Sequence, residues 1–279
     1  MNINNDTVTT KLIEGNKLRL LYSRRPCRDH YIPICAEPDP PNSDFPHNWG
    51  GYSDAMHVDF KVPSEHTIYG ERFDGEMQIF HLHPGRKRTP AVSQVMRAAD
   101  DPYSYNFMLQ MVLDEFQAVY DDHQALCAQK IRRERRLVST MHWLLGRNVQ
   151  SKFVDYTSWA DFSTTRDDPN ARELQSRFWY PHHEELVPSL YFYGYNGSLT
   201  EPPCGEWVTW YVTDTPMKVH IRQLEQLKRL IFTHVSPECE KTGVQFDESV
   251  ARPIQDTFRR GVWRCTSDNF LPDADKTSY

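Results

Sequence analysis

The chain has 279 residues, a formal net charge of −6, and 39% hydrophobic and 13% aromatic residues. The mild negative charge argues against general nucleic-acid binding, which needs a basic surface, and no apolar run approaches the roughly 20 residues of a transmembrane helix. Nineteen prolines and twelve glycines, spread along the chain, favour many short strands joined by turns over a helical bundle.

We expect a single domain over residues 1–265 and a polar C-terminal tail over residues 266–279, because an all-β chain of this size commonly forms one core. The first residues lack the basic start and apolar stretch of a secretory signal. The protein is therefore expected in the cytoplasm or, if the chain is a trimmed mature form, outside the cell or in an organelle lumen. Six cysteines without a CxxC pair disfavour a zinc ribbon and allow up to three disulfides, so the compartment stays open.

Short strands are predicted along the N-terminal part of the chain. They cover Lys17 to Tyr22 and Tyr31 to Cys35, and a proline-rich loop follows from Glu37 to Trp49. Residues then alternate between apolar and polar from Met56 to Val62, and after a turn the chain returns from Glu76 to Phe80. This pattern predicts two neighbouring strands.

These two strands carry polar side chains on a face that should be buried. Since every second side chain of a strand points to the same face, the shared face holds His57, Asp59 and Lys61 of the first strand, with Glu65 just beyond it, and Glu76, Gln78 and Phe80 of the second. Buried polar groups are costly unless they pair with one another or line a pocket. We therefore expect the functional site on this face.

A helix is predicted over residues 106–136, after a strand from Ala91 to Met96. Apolar residues recur there at spacings of three and four, which is typical of an amphipathic helix. Its end, Lys130 to Arg136, has five basic residues in seven. This end is interpreted either as a docking patch for an acidic partner or, preferably, as a solvated helix end whose cations suit the helix dipole.

The C-terminal half begins with an aromatic, turn-rich segment from Ser151 to Tyr180. Strands are predicted from Leu190 to Tyr195 and from Trp207 to Val212, and the dense apolar character of the second predicts a central position. A second helix is predicted from Lys218 to Thr233, because its apolar residues fall on one side.

Four motifs resemble those of the α-class carbonic anhydrases. They are Ser64-Glu65-His66-Thr67 with Glu76 on the next strand, Tyr195-Asn196-Gly197-Ser198-Leu199-Thr200-Glu201-Pro202-Pro203-Cys204, Val208-Thr209-Trp210, and Arg252-Pro253-Ile254-Gln255. The resemblance implies a mainly β (α+β) domain, with a central, twisted, mostly antiparallel sheet, peripheral helices and a conical cleft. Segment 106–136 is then a helical elaboration of that domain.

The same resemblance places other residues where the family holds its zinc ion. The three histidine ligands correspond to Asp59, Lys61 and Gln78, so the resemblance implies no bound metal and no cofactor; zinc is expected only if the site is active in an altered form. Catalytic zinc needs three protein ligands and an open position. We expect the Lys61 ammonium to replace the zinc charge and to pair with Asp59, and with Gln78 as a further contact.

Several residues around the metal position match the family. Thr200 corresponds to the hydroxyl that orients the zinc-bound hydroxide and Glu65 to its hydrogen-bond partner, so these two are the candidate catalytic residues. The residues that support the metal ligands correspond to His57, His66 and Glu76, and the pocket wall to Phe80, Leu199 and Trp210. His57 is interpreted as a core histidine with its hydrogen bonds satisfied.

Other histidines and one cysteine have alternative interpretations. His81 and His83 form an HxH pair, but strand parity puts them opposite Gln78, so a structural role is preferred. His182 and His183 lie in a charged loop, where solvated histidines are expected. In extracellular members of the family, the position of Cys204 pairs with a cysteine near the N-terminus, here Cys27 or Cys35. A free thiol is the alternative.

The sequence predicts a carbonic-anhydrase-related protein that has lost the zinc ligands and serves binding or assembly. Its expected partners are a protein that contacts segment 106–136 and a small anion in the pocket, with no nucleic acid. The alternative is an active carbonate dehydratase that works through an altered or metal-free site. A structural subunit of a larger assembly is a third hypothesis.

Overall fold

Strands dominate the fold in this computed structural model, which describes residues 8–22, 41–46, 53–83, 88–145, 179–257 and 259–266. The strands of this part of the chain are β1 (Val8–Glu14), β2 (Lys17–Tyr22), β3 (Asn42–Ser43), β4 (Ser53–Lys61), β5 (Thr67–Ile68), β6 (Glu71–Arg72), β7 (Gly75–Leu82), β8 (Thr89–Ala99), β9 (Phe192–Gly197), β10 (Val208–Thr213), β11 (Met217–His220) and β12 (Val262–Cys265). Two α-helices, α1 (Phe107–Leu145) and α2 (Ile221–Phe232), and a short 3-10 helix, Pro102–Ser104, accompany them in the described residues. The prediction of a mainly β fold is confirmed.

Ten of these strands form one mixed sheet, and β5 and β6 form a small separate hairpin. The order in the sheet is β1-β2-β4-β7-β8-β10-β9-β12, with β3 beside β4 and β11 beside β8. Most pairs are antiparallel, whereas β10 and β11 run parallel to β8. All six residues of β10 are buried between β8 and β9, which confirms the predicted central strand.

The main core lies on one face of this sheet. Val58 and Phe60 of β4 and Ile79 of β7 point to it and are fully buried, because they alternate with the polar residues of the other face. Apolar side chains of the two helices complete the same cluster: Leu109, Val112, Leu113, Phe116, Leu224, Leu227 and Ile231. Burial of each such side chain stabilises the fold by about 1.5–3 kcal/mol.

The helices differ from the prediction in their ends. The Asn106 side chain accepts a hydrogen bond from the Leu109 N–H at 2.8 Å and so starts α1 at Phe107, but the helix continues nine residues beyond the predicted end at 136. Helix α2 starts at Ile221 rather than Lys218, because the preceding residues extend the sheet as β11. His220 and Gln223 form a capping box at that start.

One disulfide in the described residues was not predicted. Cys127 of α1 is bonded to Cys239, 112 residues later, and sequence spacing alone does not select that pair. Cys204 is a free thiol, so its pairing with a cysteine near the N-terminus is wrong. Cys27 and Cys35 themselves lie outside the described residues.

Some predicted segments lie wholly or largely outside the described residues. The predicted strand from Tyr31 to Cys35 lies outside the described residues, as do nearly all of the turn-rich segment from Ser151 to Tyr180 and of the tail over 266–279. Within the predicted loop from Glu37 to Trp49, residues 41–46 are described and include the two-residue strand β3.

Candidate functional site

Strands β4 and β7 bring the predicted polar face together. Their antiparallel register places Asp59 opposite Gln78 and Lys61 opposite Glu76. These four polar side chains are buried; Lys61 is only 1% exposed. The register follows from the apolar residues between them, because a shift by one residue would turn the whole polar set into the core.

The Lys61 ammonium lies at the centre of the face. Its Nζ donates to Glu65 Oε2 at 2.9 Å and to Thr200 Oγ1 at 2.9 Å. Burial by itself lowers the pKa of Lys61, but the carboxylates of Glu65 and Asp59 outweigh that effect and raise the pKa above its ordinary value. Lys61 therefore stays a cation at neutral pH, fixed between the two residues that the family resemblance marks as catalytic.

Asp59 binds a different cation from the one expected. Arg19 of β2 donates to both Asp59 carboxylate oxygens, each at 2.6 Å. This bidentate pair is one of the strong side-chain interactions. The predicted Lys61–Asp59 ion pair is therefore wrong, because β2 lies beside β4 with Arg19 opposite Asp59 and supplies a nearer partner.

A second carboxylate, that of Glu201, forms hydrogen bonds that link the loop carrying Thr200 to strand β2. It accepts hydrogen bonds from Lys17, from Asn16 Nδ2 at 3.3 Å and from Arg19 Nη2 at 3.0 Å. Partial burial alone would raise the pKa of Glu201, but the hydrogen bond from Lys17 and the charges of Lys61, Lys17 and Arg19 lower it to about 2. Sequence reasoning missed this network, although Lys17 and Arg19, two residues apart on a strand, share one face.

Glu76 is the most completely hydrogen-bonded group of the site. Its carboxylate accepts from the N–H groups of Glu65 and His66 at 2.7 and 2.8 Å, from Gln78 Nε2 at 2.7 Å and from Ser93 Oγ at 2.9 Å. His66 Nδ1 also donates to it, at 2.7 Å. Burial would raise the pKa of Glu76, but these contacts, those of His66 above all, lower it to about 2.

His66 extends this network across the sheet. Its Nε2 lies 2.7 Å from the Tyr195 hydroxyl, and its ring packs edge-on against Trp210 at 4.7 Å between ring centroids. Trp210 donates through Nε1 to the Ser198 carbonyl at 2.9 Å. The predicted support residues His66 and Glu76 are therefore in contact, and they hold the start of the Glu65 segment through its backbone.

The predicted pocket residues form a small apolar cluster on the site face. Phe80 and Trp210 are buried there, with Leu199 packed against them, and the Phe80 and Trp210 centroids are 5.4 Å apart. His57 stacks on Phe80 at 4.6 Å between centroids, and its Nε2 is 3.7 Å from Asp59. Burial lowers the pKa of His57 to about 4, so the ring is neutral near pH 7.

Two histidine pairs that the sequence also singles out, His81 with His83 and His182 with His183, lie apart from this face. His81 is fully buried, and its Nε2 is 3.3 Å from His182 Nε2, which in turn lies 2.8 Å from Ser43 Oγ. Burial lowers the pKa of His81 to about 3. His83 is buried as well, whereas His183 only partly is. The described residues contain no group of three His, Cys, Asp or Glu side chains that could hold a metal ion.

The side chains at the predicted metal position do not fit zinc. Both Asp59 oxygens are engaged by Arg19, the Lys61 ammonium is a donor only, and Gln78 directs its Nε2 towards Glu65 at 3.1 Å and towards Glu76. Among these three side chains, the Gln78 Oε1 is the polar atom that is buried without a partner. One amide oxygen next to a fixed cation does not make the three-ligand site that catalytic zinc needs.

Comparison with known proteins adds family evidence to this geometry. A family model described as eukaryotic-type carbonic anhydrase matches residues 164–266. Mouse carbonic anhydrase 7 is 24% identical over 175 residues, which cover 63% of this chain and 50% of that protein. Human mitochondrial carbonic anhydrase 5B is 41% identical over 71 residues, 25% of this chain and 21% of that protein.

Solved structures share the fold. A halotolerant carbonic anhydrase from Dunaliella salina matches 93% of this chain and 73% of its own with a TM-score of 0.52 and 16% identity. Dioscorin complexed with ascorbate matches 91% and 72%, with a TM-score of 0.52 and 19% identity. The α-carbonic anhydrase of Thermovibrio ammonificans matches 92% and 75%, with a TM-score of 0.50 and 18% identity.

The partial family match and the homologues support a relationship of this chain to the α-carbonic anhydrase family, and the solved structures show the same fold. The chain spans half or less of the length of the curated relatives named above. No helix in the described ranges combines the length and the apolar character that crossing a membrane requires.

Proposed function

We propose that this protein is a carbonic-anhydrase-related binding or assembly protein that does not catalyse zinc-dependent hydration of carbon dioxide. The observation that carries the proposal is the position of the Lys61 ammonium, held between Glu65 and Thr200 at 2.9 Å from each. A cation fixed there repels a second cation and competes for the oxygens that would orient a metal-bound hydroxide.

The chemistry of zinc explains why this substitution matters. Zinc lowers the pKa of its bound water to about 7 and so supplies hydroxide at neutral pH. An ammonium supplies the positive charge but has no vacant coordination position. With Asp59 engaged by Arg19 and Gln78 hydrogen-bonded to two carboxylates, the side chains at these positions do not supply the three ligands that zinc needs.

A second candidate is an active carbonate dehydratase with an altered or metal-free site. It is favoured by the retention of Thr200 and Glu65 beside a cation. In that case the Lys61 ammonium and the Thr200 hydroxyl would hold a small anion such as bicarbonate, and the rate would depend on residues that zinc enzymes use only to orient the reacting oxygen.

The deciding experiment measures metal content by mass spectrometry and carbon dioxide hydration on the same untagged sample. We expect no stoichiometric zinc and no hydration above the uncatalysed rate. One zinc per chain with sulfonamide-sensitive activity would overturn the proposal. Hydration without metal that disappears in Thr200→Ala would establish the second candidate instead.

The surface that we propose for a protein partner is the distal part of α1, residues 123–133. Leu126 and Ile131 are 52% and 40% exposed, next to exposed basic residues such as Lys130 and Arg132. The Cys127–Cys239 disulfide links this part of the helix to the loop after α2.

Charge reversal at Arg132 and Arg133 should abolish the binding of an acidic partner. Arg222→Glu on α2 is the matched control. Equal loss of binding in both variants would contradict this assignment.

A further inference from the structure

A cavity of about 390 Å³ lies between the β5–β6 hairpin, strand β9 and the segment 252–262. Its volume falls in the range of small-molecule sites, roughly 300–1,000 Å³. Glu65 and Thr200 belong to its wall, so the cavity and Lys61 contact the same two side chains. Its other walls come from residues that the proposed function does not use.

The rim of the cavity is aromatic and apolar. Tyr69, Ile254 and Val262 are 86%, 66% and 55% exposed, and all three line the cavity. Tyr69 and Tyr193 face each other edge to face, with their hydroxyls 2.7 Å apart. Exposed apolar side chains gathered around a concavity are typical of ligand-binding surfaces.

The backbone at Tyr69 is in an unfavourable conformation. Tyr69 and Gly70 join β5 to β6 with φ values of 52° and 79°, as the two central residues of a type I′ turn require. Asparagine and glycine are common at the first of these positions, whereas a bulky side chain there costs on the order of 1 kcal/mol. The hairpin therefore places an exposed aromatic ring beside the cavity, at a turn position that asparagine or glycine would occupy at a lower conformational cost.

The wall also contains a cation that pairs with no carboxylate of the described residues. Within the described residues, Arg252 donates only to Ser198 Oγ at 3.4 Å and to the Leu199 carbonyl at 3.5 Å, both long contacts to neutral oxygens. Arg252 and Ser198 both line the cavity. Arg260 and Asp256 line the cavity too, and the Glu65 charge is balanced by Lys61.

We propose that this cavity binds a small aromatic carboxylate. The carboxylate would pair with Arg252, whose planar guanidinium suits bidentate recognition, and the ring would pack against Tyr69 and Tyr193. The cavity shares Glu65 and Thr200 with the surroundings of Lys61, but Asp59, Lys61 and Gln78 do not line it, and the inference does not depend on whether Lys61 replaces zinc. Binding is therefore measured on chelator-treated protein, so that a negative binding result has no bearing on the metal and hydration assays.

The first test is calorimetric titration with benzoate and 2-naphthoate, with benzamide and cyclohexanecarboxylate as controls for charge and aromaticity. We expect both aromatic carboxylates to bind more tightly than either control. Arg252→Gln should weaken binding about tenfold or more, the effect of losing one charge-assisted hydrogen bond, while Arg222→Gln on the surface of α2 should bind as the parent protein does. No binding at millimolar concentration, or equal binding by Arg252→Gln, would overturn the proposal.

The second test separates binding from folding. Tyr69→Asn places the preferred residue in the turn, so the unfolding free energy should stay the same or rise while affinity for 2-naphthoate falls severalfold. Tyr69→Phe should keep the affinity, because it retains the ring. A Tyr69→Asn protein that binds 2-naphthoate as tightly as the parent would show that the hairpin aromatic has no part in binding.

Discussion

The buried ammonium of Lys61 lies between the carboxylate of Glu65 and the hydroxyl of Thr200. Removing a charged group from water costs several kcal/mol, and an ion pair repays that cost only when its geometry is good and its remaining hydrogen bonds are satisfied. Glu65 is also hydrogen-bonded by Gln78. Removing either Lys61 or Glu65 would therefore leave the other as a buried charge without its partner.

Lys61→Ala should destabilise the protein by about 3–5 kcal/mol, because it leaves the Glu65 carboxylate buried without its cation. Urea unfolding with matched m-values measures this. The double variant Lys61→Met, Glu65→Gln removes both charges and should recover most of the loss. If Lys61→Ala is as stable as the parent, the ammonium does not lie in the buried position described above.

The histidine ligands can be restored at the three positions that the family resemblance marks. The triple variant Asp59→His, Lys61→His, Gln78→His should bind about one zinc ion per chain, because the register of β4 and β7 puts the three side chains on one face. Zinc content is measured by mass spectrometry, with the parent protein as control. A folded triple variant without zinc would mean that these strands are wrongly aligned with those of the family.

At the scale of single elements, helix α1 combines a buried start with an exposed end. Its first turns pack Leu109, Val112 and Phe116 into the main core, whereas residues 128–133 are exposed. The distal part is tied to the loop after α2 by Cys127–Cys239 and by a hydrogen bond between His123 Nδ1 and His234 Nε2 at 2.9 Å. The disulfide is therefore the covalent link between this part of the helix and the loop after α2.

Breaking that cross-link should loosen the end of α1. Cys127→Ser, or reduction with dithiothreitol, should lower the unfolding free energy by about 2–4 kcal/mol, the usual contribution of a disulfide that closes a long loop. Hydrogen exchange should increase first in the distal part of α1 and in the loop that carries Cys239. Cys204→Ser is the control, since Cys204 is a free thiol; equal effects of the two substitutions would contradict this account.

At the scale of the whole molecule, buried titratable groups set the response to acid. The pKa of His57 is lowered to about 4 and that of His81 to about 3, both by burial. A histidine with a lowered folded-state pKa adds stability that is complete above its unfolded value of about 6.5 and is lost as the pH falls towards the folded value. The carboxylates of Glu76 and Glu201, lowered to about 2, act in the same direction below about pH 4.5.

Stability should therefore begin to fall below about pH 6.5, before the carboxylates titrate, by up to about 1.4 kcal/mol per pH unit for each of the two histidines. Urea unfolding between pH 7 and pH 4 gives the slope. His57→Gln should reduce it, while replacement of the largely exposed Asp100 by Asn should not. A parent protein with constant stability from pH 7 to pH 5 would contradict the neutral, buried state of His57 and His81.

Much of the fold follows from local patterns. The alternation around Met56 to Val62 and Glu76 to Phe80 predicted the two strands and their shared polar face, because side-chain parity depends only on neighbouring residues. The apolar run from Trp207 to Val212 predicted a central strand for a similar reason. The start of α2 was misplaced, because tertiary pairing of β11 with β8 overrides helical spacing. Helix α1 also extends beyond its predicted end, to Leu145.

The sequence by itself determined the fold class, the resemblance to the α-carbonic anhydrases, the two strands of the site and the residues that they present. Only the tertiary structure decided which charges pair: Arg19 with Asp59, Lys61 with Glu65, and Lys17 with Glu201. It also decided the Cys127–Cys239 bond and the cavity beside Tyr69 and Arg252. These contacts join residues far apart in the chain, and their distances depend on strand order and loop packing, which local periodicity does not encode.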